Sequence, residues 1–441
     1  MTQEEALGVL KMGQNVFLTG SPGSGKTFLL NQYIEYLKQH NKVVAITAST
    51  GIAATHMNGV TLHSWSGLGI KETISDKDIK GLMKRKYLFK RIRATKVLII
   101  DEVSMLKASQ LDAVDKICQY FKASFLPFGG MQVVLSGDFF QLPPIERNGG
   151  QVNFIVESVA WKTMDIKTCY LEGQFRHKDE KLSSLLDSIR ENNIEESKNI
   201  LGIAEDSSSE FQDEDVLENN MIPTKLYTHN VDVDKINDFE LSKINQKEFV
   251  YQMMSSGPKE VITSLKKSCL APEKLVLKQG AQVMFIKNNF EQGYVNGTQG
   301  KVVGFDAMSM PMIETVSGKI ITARQASWVI DEEGGAIAEI HQLPLRLAWA
   351  ITVHKSQGMN LDSAEIDLSG CFVKGMGYVA ISRLRSFNGL RLVGINDLAF
   401  YVNEKAVEMD VEFKAMSKRV LAHVNKMSPA IIKKEQERFV V

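Results

Sequence analysis

Cysteine is scarce. Four residues, Cys118, Cys169, Cys269 and Cys371, are spread through 441. Their wide separation gives no metal-ligand spacing, and a disulfide framework does not suit so long a chain, so a reducing compartment is the default. No apolar run approaches the ~20 residues of a membrane span. Neither charge dominates: 52 basic residues balance 52 acidic ones. That argues against a surface coated in positive charge, although it does not exclude a local basic groove. Glycine and proline are not in excess and no repeat of fixed period appears, which excludes collagen-like and solenoid architectures. The first ten residues, MTQEEALGVL, are acidic. They show neither an apolar h-region nor an Arg-rich amphipathic pattern. The expectation is a chain without membrane association, located in a bacterial or viral-type cytoplasm.

What is present is the composition of a globular protein, 44% apolar and 24% charged, in a chain too long for one ordinary core. Charge is unevenly placed. KRKYLFKRIRATK, residues 84–96, carries basic residues and no acid, whereas SSSEFQDEDVLENN, residues 207–220, is acidic and reads as a solvated segment.

Short β-branched runs alternate with helical patterns over the first 145 residues. NVFLT (15–19), VVAITAS (43–49), KVLIID (96–101) and MQVVLSG (131–137) are continuously apolar, as strands covered on both faces are. Between them, Leu30, Tyr33, Ile34 and Leu37 share one helix face, and Leu111, Val114, Cys118 and Phe121 another. Strand–helix–strand repetition predicts a parallel, doubly wound α/β sheet. A helical stretch follows around 170–220, and a second α/β region starts near TKLYTHN (224–230). From about 273 to 342 the chain becomes short Gly-punctuated runs with a strong Asn296-Gly297 turn signal. That stretch reads as a small β-barrel inserted into the second α/β region, whose pattern returns at 345–358. The end reads as a charged helical tail.

GSPGSGKT, Gly20 to Thr27, fits G-x-x-x-x-G-K-[ST] between a strand and a helix. Gly20, Ser21, Pro22, Gly23, Ser24 and Gly25 would wrap phosphate with backbone N–H groups at a helix N-terminus, with Phe28 following in the first turn. Lys26 would reach the β- and γ-phosphates, and Thr27 would place its hydroxyl on Mg²⁺. VLIIDEVSM ends a buried strand in two acids: Asp101 suits the Mg²⁺ shell, and Glu102 is placed to polarise an attacking water. That pair points to hydrolysis and not binding alone.

ITASTGIAATHMNGVTLHSW leaves two readings open. Thr47, Ser49 and Thr50 offer hydroxyls to nucleic-acid phosphates or cap a helix start, and His63 and Trp65 are candidates for sugar or base contacts. Arg176 and Arg383 each follow an apolar stretch. They are either surface arginines or groups that neutralise the transferring phosphate. His354 and Lys355, in VHKSQG, suit a nucleic-acid backbone; a core histidine and a solvated lysine are the alternatives. LSGDFFQLPP, Leu135 to Pro144, sets Asp138, Phe139, Phe140 and Gln141 at a strand end.

In order, Gln3, GSPGSGKT, TASTGIAA, TLHSW, DEVSM, FGGMQVVLSGDFFQLPP, QFR, VHKSQG and YVAISR resemble the Pif-type (petite integration frequency) DNA helicases of superfamily 1, 5′-to-3′ branch. RecD-like helicases are next. The resemblance spans residues 3 to about 395. It implies two RecA-like P-loop domains with ATP in the cleft between them, a small inserted SH3-like β-barrel and a short wedge insertion. The expected division is 1–65 with 96–170 (domain 1A), 66–95 (1B), 171–272 with 343–430 (2A), and 273–342 (2B). Gln3 would recognise adenine and Gln141 would sense the γ-phosphate. Arg176 and Arg383 would be arginine fingers, and Gln357 and Gly358 would lie nearest the nucleotide. Of Phe139 and Phe140, at least one is expected to pack toward DNA; the alternative is that both rings bury in the interdomain core. ATP and Mg²⁺ are the implied cofactors. Single-stranded DNA and single/double-strand junctions are the implied partners, G-quadruplexes and RNA–DNA hybrids are further candidates, and the expected state is a monomer. The other class of reading is an ATP-dependent nucleic-acid clamp that binds without unwinding.

Overall fold

The computed structural model describes residues 1–440 except 58, 70, 145–152, 174–178, 204–222, 229–232, 290 and 333–334. The chain forms two units, Met1–Arg176 with Glu404–Val441, and His177–Asn403.

The first unit is built on six strands: β1 (Val16–Gly20), β2 (Val44–Ala48), β3 (Val60–Thr61), β4 (Val97–Asp101), β5 (Gln132–Ser136) and β6 (Lys167–Leu171). They pair in the order β3-β2-β4-β5-β1-β6, all parallel. Every residue of β1 and β5 is buried, because helices cover both faces. The four apolar runs read from the sequence became β1, β2, β4 and β5. The two edge strands were not anticipated. Register sets Gly20 beside Leu171 and Ala48 beside Asp101, so the carboxyl ends align along one edge of the sheet, where open α/β folds bind ligands.

Helix α1 (Gln3–Lys11) opens with a capping box between Thr2 and Glu5. Helix α2 (Lys26–Gln39) follows β1 and buries Leu30, Tyr33, Ile34 and Leu37. Leu111, Val114, Cys118 and Phe121 are buried together on the helix Ala108–Lys122. The short insertion forms helices Asp76–Met83 and Lys86–Ala94, which bury Ile79, Leu88 and Ile92. Lys84, Arg85, Lys86 and Lys90 stay exposed on the outer face.

One boundary is corrected. Residues 404–430 were expected with the second α/β lobe, but the helices Glu404–Lys426 and Pro429–Val440 belong to the first unit. The first buries Ala406 and Phe413 and packs Val420, Leu421 and Val424 against the core of β1 and α2. These positions recur at helical spacing and form an apolar stripe within a sequence that looks merely charged.

The second unit holds a parallel four-stranded sheet in the order Ala350–Thr352, Thr224–Tyr227, Ala364–Leu368, Leu390–Ile395. Beside it is an antiparallel sheet of Ile320–Thr322, Pro311–Thr315, Gln299–Phe305, Gln282–Phe285 and Leu345–Leu347. Its core includes Val283, Phe285, Val302, Ile313 and Leu345. The β-rich region begins earlier than the expected residue 273. Phe249–Gln252 pairs with Lys274–Leu277, and Met254–Ser256 pairs with Gly335–Gln342. Backbone pairing drew in strands whose sequence shows no clear alternation.

Candidate nucleotide and nucleic-acid site

The loop between β1 and α2 is shaped by glycine at two places in particular. Gly20 has φ 142°, and a Cβ there would meet the Leu171 carbonyl at 2.6 Å. Gly25 caps α2 in the left-handed region at φ 86° with no side-chain cap, which leaves the helix N–H groups available to an anion. Lys26 Nζ donates to the carbonyls of Gly20 (2.7 Å) and Ser21 (3.1 Å). The ammonium is thus already held across the loop that would receive phosphate. Ser24 is fully buried, and its Oγ is a buried hydroxyl without a hydrogen-bond partner among the described residues. Thr27 and Phe28 are exposed on the first turn of α2.

Gln3 at the start of α1 donates from Nε2 to the Ser24 carbonyl at 3.3 Å. This ties α1 to the loop beside a cavity of about 360 Å³, within the ~300–1,000 Å³ typical of small-molecule pockets. Gln3, Ser24, Leu171 at the end of β6, and Leu421 of the helix Glu404–Lys426 line it.

Asp101 ends β4. Burial pushes its carboxyl pKa up, and neighbouring hydrogen-bond donors and Lys26 offset this only in part. Glu102 follows with φ 54° and ψ 47°, a left-handed conformation costing of order 1–3 kcal/mol in a residue with a side chain. The backbone there is held by Ser49: its Oγ donates to the Glu102 carbonyl at 2.7 Å, and its N–H donates to the Asp101 carbonyl at 3.1 Å. Strain that the surroundings maintain at a strand end between two acids is the kind found at functional sites.

After β5 the chain turns through Asp138–Gln141. Asp138 is buried, its Oδ1 accepts from the Phe140 N–H at 3.1 Å, and its carbonyl accepts from the Gln141 N–H at 3.1 Å. Gln141 is 6% exposed. The loop, Asp101–Glu102 and the Asp138–Gln141 turn therefore share the carboxyl edge of one sheet.

Three expected DNA contacts are corrected. Thr47 is fully buried and its hydroxyl donates to the Ile99 carbonyl at 2.7 Å, so it ties β2 to β4. Trp65 is 2% exposed. Phe139 is buried among Phe17, Phe154, Trp161 and Phe413, with centroids 5.5–6.5 Å away. In each case the protein interior took a side chain that its place in the sequence left equally open to solvent, Thr47 near the end of β2, Trp65 on the helix Leu62–Ser66 and Phe139 in the turn after β5. Phe140, 3% exposed, is buried as well, so both rings follow the alternative in which they bury in the core and neither faces solvent. Thr50 caps the helix Gly51–His56 by accepting from the Ala53 N–H at 3.2 Å, which favours the capping reading. His63 is half-buried, and burial lowers its pKa.

In the second unit, VHKSQG follows the strand Ala350–Thr352. The Lys355 N–H donates to Thr352 Oγ1 (3.2 Å), and Ser356 Oγ donates to the Val353 carbonyl (2.8 Å). Gln357 is buried, and Gly358 sits at φ 76°. His354 is half-buried with a pKa lowered by burial, and Lys355 Nζ lies 3.6 Å from Asp234. Arg383 is buried, its Nε donating to the Val379 carbonyl and its Nη2 to Ser382 Oγ, both at 2.9 Å. Arg176 lies outside the described residues. The sequence reading missed Leu421, whose only signal was the helical spacing of apolar residues in the tail.

The sequence pattern of the PIF1-like helicases matches residues 4–210, and that of the DNA helicase Pif1 2B domain matches 260–305. The chain is 41% identical over 502 aligned positions to the ATP-dependent DNA helicase Pif1 of Psychrobacter sp. (strain PRwf-1), covering 100% of this chain and 75% of the relative. This chain belongs to the PIF1-like helicase family. Among solved structures it is similar to Bacteroides sp. Pif1 in complex with ADP-AlF4, with TM-score 0.77, 28% identity, and 94% and 96% of the two chains covered. It is also similar to Bacteroides Pif1 bound to single-stranded DNA, with TM-score 0.59, 28% identity and the same coverage. The fold is accordingly that of the Pif1 helicases, α/β with two RecA-like P-loop domains.

Proposed function

We propose that this PIF1-like family member is an ATP-dependent DNA helicase that translocates 5′ to 3′ on single-stranded DNA and separates strands at single/double-strand junctions, working as a monomer in DNA replication, repair or recombination. The observation that carries this reading is the convergence of Lys26, the Asp101–Glu102 strand end and Gln141 on one sheet edge. The relatives named Pif1 helicase, crystallised with ADP-AlF4 or with single-stranded DNA, support it.

In this reading Gln3 recognises the adenine base, and the Gly20–Gly25 loop and Lys26 hold phosphate. Mg²⁺ fits the donor set: the exposed Thr27 hydroxyl and the Asp101 carboxylate, which burial otherwise holds above the ordinary carboxylate range. Those two would hold the ion, and it would neutralise phosphate charge. Glu102 orients the attacking water from its strained backbone. Gln141 reads the γ-phosphate, with Asp138 bracing its turn, and Arg176 and Arg383 balance the developing charge. For Arg383 this requires release from Val379 and Ser382. Gln357 and Gly358 complete the nucleotide contacts. Ser49, His63, His354 and Lys355 serve the DNA side, with the expected 66–95, 273–342 and flanking α/β segments acting as wedge, SH3-like and motor domains.

Strand release tests the reading. A 5′-tailed duplex should be unwound under single-turnover conditions with ATP, and a 3′-tailed duplex should not. Lys26→Ala should remove both ATP hydrolysis and release. DNA-stimulated ATP hydrolysis without strand release from any tailed duplex, quadruplex or RNA–DNA hybrid would instead identify a clamp.

A further inference from the structure

The C-terminal helix pair meets the nucleotide unit at several independent points. In the helix Glu404–Lys426, Asp410 Oδ1 accepts from Tyr170 Oη at 2.9 Å, and Ser417 Oγ accepts from the Tyr170 N–H at 3.0 Å. Tyr170 belongs to β6, whose next residue, Leu171, lines the 360 Å³ cavity. Phe413 joins the aromatic cluster behind the Asp138–Gln141 turn. Leu421 lies one turn beyond Ser417 on the same face and forms part of the cavity wall. The last helix, Pro429–Val440, fastens α1 itself. Gln436 Nε2 donates to the Gly8 carbonyl at 3.3 Å, and Phe439 packs where a Cβ on Gly13 would stand, 2.3 Å from its ring. Gln3, on α1, and Leu421, on the returning helix, are thus held in register by one segment.

The chemistry of the cavity is divided. Gln3 supplies an amide, Ser24 a buried hydroxyl and Glu5 and Glu172 carboxylates, the latter paired with the Met1 ammonium at 3.1 Å, whereas Leu171 and Leu421 supply apolar surface. Hydrogen-bonding groups beside two leucines suit a planar heteroaromatic ring, which needs hydrogen bonds in its plane and apolar packing on its faces. Leu421 cannot hydrogen-bond, so it acts by shape.

We propose that Leu421 is a base-binding residue of the nucleotide site, one wall of the pocket that receives the adenine ring of ATP, so that residues 404–440 take part in nucleotide selection. This rests on the reading that the Gln3 cavity takes the base. The triphosphate meets the loop Gly20–Thr27 and not Leu421. A defect at Leu421 therefore falls on ligands that carry a base and spares those that do not.

The test uses the full chain with Leu421→Trp, Leu421→Ala and Gln3→Ala. Measured are KM and kcat for DNA-stimulated ATP hydrolysis and the inhibition constant of inorganic tripolyphosphate, which has no base. Expected for Leu421→Trp is a tenfold or greater rise in KM for ATP, kcat within twofold, and unchanged tripolyphosphate inhibition. Leu421→Ala, which only removes volume and guards against a folding failure of the larger substitution, should raise KM severalfold with the same selectivity. Gln3→Ala separates the two ideas. If it weakens ATP but not tripolyphosphate while both Leu421 variants leave KM for ATP unchanged, the base pocket stands and the role of Leu421 is overturned. If Gln3→Ala and the Leu421 variants all leave KM unchanged, or shift ATP and tripolyphosphate equally, the base-pocket reading falls with it.

Discussion

The rings of Phe139 and Phe413 stack with centroids 5.7 Å apart and planes 25° from parallel. Two residues with no evident connection in sequence are therefore neighbours. Phe139 belongs to the turn that carries Gln141, and Phe413 to the helix that returns from residue 404. Phe17 of β1 touches both, at 5.5 and 4.9 Å. A cluster in this distance range contributes about 0.5–1.5 kcal/mol per pair beyond its buried area. It backs the Asp138–Gln141 turn with an apolar wall, and the wall is partly made by the C-terminal helix.

Phe413→Ala should therefore do two things. Opening a cavity in that cluster should cost about 3–5 kcal/mol in urea unfolding. ATP turnover should also fall several-fold at a temperature where the variant is fully folded, because the Asp138–Gln141 turn loses its backing. Leu37→Ala, in the buried face of α2, is the control for stability loss alone. Equal turnover in the two variants at matched folded fraction would show that the aromatic wall does not bear on catalysis.

Asp101 carries a pH prediction. Its carboxyl pKa is raised by burial, so the ionised form is less favourable folded than unfolded. The penalty is absent below the unfolded carboxylate range, grows as pH rises from that range towards the raised folded value, and is complete above it. Without nucleotide or Mg²⁺, Asp101→Asn should melt higher than the parent chain at pH 7–8. The expected rise is about 2–4 °C, the effect of ~1 kcal/mol in a unit of this size. The advantage should disappear towards pH 3–4. The same variant should lose Mg²⁺-dependent hydrolysis. A variant that melts lower than its parent at pH 8 rules out this account of the site.

Thr47 and Lys355 can be told apart by salt. The Thr47 hydroxyl donates to Ile99 inside the sheet, so Thr47→Val should cost about 1 kcal/mol of stability. It should leave single-stranded DNA affinity within twofold at every salt concentration. Lys355 is only half-buried. Lys355→Ala should weaken DNA binding and lower the slope of log affinity against log salt by about 0.7. Titrations at several salt concentrations decide it; a changed slope for Thr47→Val would return that residue to the DNA surface.

The parallel core was legible because β1, β2, β4 and β5 are continuous apolar runs, and burial on both faces demands such runs. β6 was not, since KTCYL opens on lysine and threonine and is not a continuous apolar run, and its place was fixed by pairing with β1. The P-loop and the two acids could be read because their chemistry sets residue type and spacing together. The left-handed backbone of Glu102 could not, because nothing in DEVSM requires it; Ser49, far away in sequence, holds it. Thr47, Trp65 and Phe139 were misplaced for a related reason. A hydroxyl or ring at a strand end suits solvent or core equally well until the helices above it are in place. The tail hid its role behind its charges. Its apolar positions are few and spaced for one face, and their partner strand, β6, was itself unseen.

Gly297 links the β-rich part of the second unit to VHKSQGMN. It has φ 93°, and a Cβ there would lie 2.4 Å from the carbonyl oxygen and 2.7 Å from the nitrogen of Asn360. Both neighbours are backbone, so neither can rotate aside. The Asn360 N–H also donates to the Asn296 carbonyl at 3.1 Å, which clamps the turn onto the segment just after Gln357 and Gly358. Gly297→Ala is disfavoured both by its backbone angle and by this approach. The turn and the segment should separate by a few tenths of an ångström or more. If VHKSQG joins the DNA side to the nucleotide side, the variant should keep its ATP hydrolysis without DNA within about twofold. It should lose most of the acceleration that single-stranded DNA produces, a drop of roughly tenfold given how steeply rates depend on ångström-scale placement. Gly304→Ala, where an added Cβ meets nothing within 4 Å, should keep full acceleration. If Gly297→Ala retained the parent's DNA acceleration, the clamp at Asn360 would be a packing contact with no part in coupling.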